Sequence, residues 1–234
     1  MQRSKQMSES IEVGIILAMA GGFMDAYSYL CRDHVFANAQ TGNILLLGVN
    51  LAERHWSDAE RYFIPVISFI VGIALADLVR VKMRNYNAVH WRQIAVLCEA
   101  LILFGVSFIP QNMNLCANSL TSLACGIQVE SFRKIHGQGI ATTMCIGNLR
   151  SATQNMCEYI SNKDKLAVWR GILYYGIIVS FMLGAVLGNE MIHRYQEKAV
   201  AICGGILIIT AIMMINDREK LKKGSRRNHT DEVK

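Results

Sequence analysis

Three acidic residues interrupt apolar runs of this chain: Asp25 in GGFMDAYSYL, Glu99 in IAVLCEALILF and Glu130 in GIQVESF. A carboxylate in apolar surroundings costs a few kcal/mol unless it is paired, so each is a candidate for proton or cation handling or for polar pairing between helices. Two further stretches place amides and hydroxyls between apolar runs: VFANAQTGN (Val35 to Asn43) and IATTMCIGN (Ile140 to Asn148). Both end in Gly-Asn. In a helix opening at such a pair, glycine lets the backbone turn, Thr41 is placed to cap, and the free N–H groups of the first turn project partial positive charge. That chemistry suits a small polar or anionic solute. The candidate binding set is Asp25, Gln40, Thr41, Gly42 and Asn43 from the first half, with Gln128, Glu130, Thr142, Thr143, Gly147 and Asn148 from the second.

Other chemistries find little support. The seven cysteines form no CxxC pair, the six histidines are isolated, and no HExxH, phosphate-loop or dinucleotide pattern occurs. No catalytic residue, metal ligand or cofactor is assigned. A membrane enzyme using Asp25 or Glu130 as general acid or base is an alternative, although no nucleophile and base stand at a recognisable spacing. A structural or partner-binding membrane subunit is another.

The elements that must position these residues are membrane spans. Hydrophobic residues make up 52% of the chain and prolines number two, and mean hydropathy is +0.26. Runs such as FIPVISFIVGIALA, GILYYGIIVSFMLGAVLG and AVAICGGILIITAIMMI contain no charge, which fits the roughly 20 apolar residues needed to cross a bilayer. The first 24 residues also fit a signal peptide, but their run continues to Leu30 and has a counterpart in the second half.

Eight segments are expected to be helical: Ile11 to Leu30, Thr41 to Glu53, Tyr62 to Val81, Trp91 to Ile109, Leu115 to Phe132, Thr143 to Ile160, Val168 to Ile192 and Ala199 to Asn216. The first four map onto the last four. Gly22 corresponds to Gly126, SFIVGIALAD to SFMLGAVLGN, Cys98 to Cys203, and the second and sixth segments both open at Gly-Asn. Gly72 with Ala76 and Gly184 with Gly188 have the small-residue spacing of close helix packing. A methyl is nevertheless expected to be better tolerated at Gly72 than a branched side chain at Gly42 or Gly147.

Charge decides the expected topology. If the second and sixth segments do not cross, all but five of the 24 Lys and Arg (Arg32, Arg54, Arg61, Arg194 and Lys198) fall on the cytoplasmic side. The reading is therefore an all-α integral membrane protein with six transmembrane helices and two short re-entrant or broken segments. Three crossings per half require the halves to be inverted relative to each other, as in secondary transporters. The loop His55 to Asp58 then faces outward and Asn162 to Asp164 inward. Asp25 and Glu130 flank the two re-entrant segments.

The stretches GGFMDAYSYL, VFANAQTGN, GIQVESF and ATTMCIGN resemble the YoaK-type family of bacterial membrane proteins, a domain of unknown function, over roughly Ile11 to Ile215. The resemblance implies a polytopic protein of the bacterial inner membrane and supplies no substrate. The second half departs from the family's pattern at Ile146, where a hydroxyl residue tends to precede the glycine. The expected organisation is a cytoplasmic tail at 1–10, a first repeat at 11–110, a second at 111–216 and a basic cytoplasmic tail at 217–234, forming one membrane domain with both termini cytoplasmic. Its net charge of +6 reads as orientation rather than nucleic-acid binding. The expected partners are the lipid bilayer and a small-molecule solute for a transporter or permease, with homo-oligomerisation left open.

Overall fold

The structure is a computed structural model that describes residues 10–83 and 91–214. Its helices are α1 (Ile11–Cys31), α2 (Gln40–Ala52), α3 (Trp56–Lys82), α4 (Trp91–Val106), α5 (Asn114–Ser131), α6 (Cys145–Asn162) and α7 (Lys165–Tyr195), followed by α8 (residues 200–214). Among the described residues no strand forms, and a lone bridge pairs Ile135 with Gln138. Each of the eight expected segments contains a helix within its described residues. The residues expected as tails at 1–9 and 217–234, and Arg84 in the loop before α4, lie outside the described set.

Among the described residues three stretches are long and apolar enough to cross a membrane: Ile11–Cys31, Trp56–Lys82 and Lys165–Met214. The last is two helices. A 3-10 turn at Gln196–Ala199 separates α7 from α8, and the positive φ of 51° at Gln196 ends the α-helical path.

Helix α1 is apolar on nearly every side and is accordingly central. Ser10 caps it by accepting from the Val13 amide at 3.2 Å, and Leu17, Phe23, Met24 and Tyr27 are fully buried. Its closest neighbour is α7. A Cβ at Gly22 would overlap the Phe181 carbonyl oxygen, and one at Gly184 the Met19 carbonyl oxygen. Helices α5 and α3 meet in the corresponding way: a Cβ at Gly126 would overlap the Phe69 carbonyl oxygen, and one at Gly72 that of Leu123. Close packing at the small-residue positions is thus observed in both pairs. A Cβ at Gly72 meets backbone and one at Gly42 meets the Phe36 ring at 2.8 Å, whereas nothing lies within 4 Å of a Cβ at Gly147.

Helix α8 closes the remaining side of α1, with the Cys203 thiol 3.7 Å from the Ala20 carbonyl and Gly204 against Ala100 and Phe104 of α4. Helix α3 instead turns Phe63, Ile67, Ile70, Leu75 and Leu78 outward, as a lipid-facing helix does.

Arg32, at the end of α1, is fully buried. Its guanidinium donates to the carbonyls of Val106, Ile109 and Pro110 (3.4, 2.7 and 3.2 Å), to Asn114 Oδ1 at 2.9 Å and to the Tyr27 hydroxyl at 2.8 Å. The Asn118 amide returns a bond to the Arg32 carbonyl at 2.7 Å. A cation thus binds carbonyls at the end of α4 and in the loop that follows it, and ties α1 to both and to α5.

Candidate functional site

The chain leaves α1 at Arg32, passes Asp33 and His34 at positive φ, and turns back along the helix it has just left. Asn38 reaches the middle of α1. Its backbone N–H donates to Asp25 Oδ1 at 2.7 Å, and its side-chain amide donates to the Gly21 carbonyl at 3.1 Å. Gly21 lies about 16 Å from Arg32 at 1.5 Å per helical residue. Helix α2 then runs outward from Gln40.

The second loop arrives at the same place. Ile135 packs against Gly14, where a Cβ would overlap its side chain. Thr142 and Thr143 then come against Gly21, so that a Cβ there would stand 3.2 Å from the Thr142 carbonyl and 3.4 Å from Thr143 Cγ2. Gln128 of α5 joins them, donating to Thr142 Oγ1 at 3.0 Å and to the Leu17 carbonyl at 3.1 Å. Two loops from different halves of the sequence therefore converge on one residue at the centre of α1.

Each loop is held by the asparagine of its Gly-Asn pair. Asn43 accepts from the Phe36 N–H at 3.0 Å and donates to the Phe36 carbonyl at 2.7 Å. Asn148 accepts from the Ala141 N–H at 3.3 Å and donates to the Ala141 carbonyl at 2.6 Å. Both asparagines are buried, and each closes its loop by imitating a backbone pair.

The chain brings together Asp25, Gln128, Thr142 and Thr143, with Asn43 and Asn148 behind them. Gln40 is committed within its own loop, donating to the Ala37 carbonyl at 2.8 Å and accepting from Asn43 at 2.9 Å. Thr41 is exposed and does not cap α2: the N-cap is Ala39, without a side-chain bond. Gly42 makes no unusual turn. A Cβ there would come 2.8 Å from the Phe36 ring, so glycine leaves room for that ring, which stacks on Tyr29 at 4.9 Å. Gly147 is exposed, within helix α6. Glu130 stands apart, 3.8 Å from Arg80 and 3.5 Å from Arg133 at the far end of α3 and α5. The first-turn amides expected to attract an anion thus lie toward the outside, and the loops before them form the buried part.

Asn38 was missed as a site residue because its stretch draws attention to the Gly-Asn corner. Nothing in the sequence distinguishes it from Gln40. Several buried polar atoms around the convergence have no partner: Asn38 Oδ1, Gln128 Oε1 and Thr143 Oγ1, with both carboxyl oxygens of Glu99 and the Ser122 hydroxyl also unpartnered. Such atoms are rare in folded proteins.

The family described as "Protein of unknown function (DUF1275)" matches residues 13–213. The chain belongs to the DUF1275 family. A relative, the UPF0700 transmembrane protein YoaK of Bacillus subtilis (strain 168), is 26% identical over 181 residues, covering 74% of this chain and 79% of that protein. A phospho-N-acetylmuramoyl-pentapeptide-transferase of Rickettsia africae (strain ESF-5) is 24% identical over 223 residues, covering 88% of this chain and 55% of that protein. No solved structure matches this DUF1275 chain. With a transmembrane relative and three stretches of spanning length, the DUF1275 protein is a membrane protein.

Proposed function

We propose that this DUF1275 protein is a small secondary transporter or channel-like permease of the bacterial inner membrane, built as an inverted repeat. Six helices (α1, α3, α4, α5, α7 and α8) cross, and α2 and α6 return to the face from which their loops enter. Both termini are cytoplasmic. The solute site lies where the loops meet at Gly21, with Asp25, Gln128, Thr142 and Thr143 around it and Asn43 and Asn148 holding the loops. Gln40, Thr41, Gly42 and Gly147 shape or flank the approach, and Glu130 stands apart from it.

The observation that carries this reading is the convergence of two loops on Gly21, midway along a spanning helix. Irregular backbone at that depth is tolerated where it is enclosed by protein or lines a cavity, and paired broken segments at the midplane form the sites of inverted-repeat transporters. The corresponding glycine contacts of α1 with α7 and of α5 with α3 support two equivalent halves. The clustering of Arg80, Arg133 and Lys134 at one end supports the orientation.

Exposed Ser57 and Ser161 provide the test. In a background without native cysteines, a membrane-impermeant thiol reagent applied to intact cells is expected to label Ser57→Cys and leave Ser161→Cys unlabelled. Labelling of both, or of neither, would remove the inverted arrangement and with it the main support for transport.

A further inference from the structure

We propose that the buried cluster at the centre of α1 is a cation site, which binds a small monovalent cation, either an alkali ion or the ammonium group of a small amine. This rests on the transporter reading and narrows its solute or coupling ion to one sign of charge.

The argument begins with which atoms lack partners. At the convergence they are oxygens: Asn38 Oδ1, Gln128 Oε1 and Thr143 Oγ1. The two amides cannot be reversed to offer nitrogen instead. Asn38 Nδ2 donates to the Gly21 carbonyl and Gln128 Nε2 to the Leu17 carbonyl, each at 3.1 Å. A flipped amide would set its own oxygen against that carbonyl, acceptor facing acceptor. All three side chains are at most 2% exposed, so bulk water does not satisfy them.

Charge agrees with this polarity. Asp25 borders the cluster through Asn38, whose backbone N–H donates to Asp25 Oδ1. The fully buried Arg32 offers no counter-charge, since its guanidinium is committed to carbonyls, Asn114 and Tyr27 at the end of α1. An anion placed here would face oxygen acceptors and the Asp25 carboxyl group. A cation would find ligands from both loops and α5.

Ligand type narrows the class further. Among the described residues no three His, Cys, Asp or Glu side chains converge to hold a metal ion, so amide and hydroxyl oxygens must supply most of the coordination. Neutral oxygens suit a singly charged ion or an N–H donor better than a transition metal. Asn38 and Thr143 come from the two different loops, so a bound cation would join the halves at Gly21 and its release would free them to separate.

The test is thermal unfolding of the full-length protein in lipid nanodiscs. Sodium, potassium and methylammonium chlorides are titrated at constant chloride and ionic strength, with choline chloride, whose head group is too bulky, as the balancing salt. A saturable rise in Tm with at least one small cation is expected. Saturation by methylammonium alone identifies an ammonium site, and saturation by sodium or potassium alone an alkali-ion site. Exchanging chloride for acetate at constant sodium should change nothing saturably. Thr143→Val preserves shape while removing one free oxygen, and should fold as the native chain does with half-saturation raised about tenfold, roughly the loss of one good ligand. Thr153→Val, on the exposed face of α6, should leave it unchanged. Saturable stabilisation by the anion, no saturable response to any small cation, or an unaltered half-saturation in Thr143→Val would each overturn the proposal. Cation binding without cation or amine flux in proteoliposomes would uphold the site and sink the transport reading alone.

Discussion

Gly22 of α1 lies so close to Phe181 of α7 that a Cβ on the glycine would overlap the Phe181 carbonyl oxygen. Gly126 stands in the same relation to Phe69. The obstacle in both cases is main chain, which cannot rotate away as a side chain can. Gly22→Ala and Gly126→Ala should therefore each destabilise by about 1–3 kcal/mol, the usual range for overpacking. Gly147→Ala, with open space around its Cβ, should be neutral or slightly stabilising through helix propensity. Thermal unfolding in detergent reads all three, and equal losses would show that proximity to backbone is not the cause.

Removal of Arg32 should be among the most damaging single changes. Arg32→Met leaves the Ile109 carbonyl and Asn114 Oδ1 without the donor that the guanidinium supplies, for a loss of about 3 kcal/mol or more. Arg32→Lys should not restore stability, because one ammonium cannot reach the array that the planar guanidinium spans. Arg61, paired with Asp58 one turn away on a partly exposed surface, gives the contrast: Arg61→Ala should cost at most about 1 kcal/mol. Expression level and unfolding temperature of the three variants measure this.

Asn43→Asp and Asn148→Asp test the loop clamps. Each substitution exchanges the donating NH2 for an acceptor facing the carbonyl of Phe36 or Ala141, while the other half of the pair survives. A loss of about 1–3 kcal/mol is expected in each. The two should be similar in size. A strong effect at one asparagine and none at the other would mean that the loops are not held alike.

Asp25→Asn retains an oxygen to accept from the Asn38 N–H, so the loop should stay docked and the protein should fold and insert. Under the transport reading, flux in proteoliposomes should fall by at least tenfold because the charge beside the site is gone. Failure to express, with no separable flux defect in the surviving protein, would make Asp25 a structural anchor.

Membrane class and the helical character of the eight segments, over their described residues, were legible in the sequence. Each depends on local composition or on order along the chain: a run of apolar residues is a span wherever it packs. Helix ends were also nearly right, although α3 begins at Trp56 rather than Tyr62, since the amphipathic turn at its start carries Asp58, Glu60 and Arg61.

Only the tertiary structure decided what stands opposite each residue. Gly147 reads in sequence as the more constrained of two glycines, yet Gly72 faces the Leu123 backbone and Gly147 nothing. Arg32 reads as a loop charge and is instead buried against the end of α4. Glu130 matches Asp25 in its place along the chain, but it pairs with Arg80 and Arg133 and not with the residues that meet at Gly21. Asn38 and Gln128 acquire unpartnered oxygens because α1 places fixed carbonyls at Gly21 and Leu17 that claim their nitrogens. Hydropathy and period are properties of neighbours in the chain, whereas clearance, burial and the direction of an amide are set by residues far away in sequence and close in space.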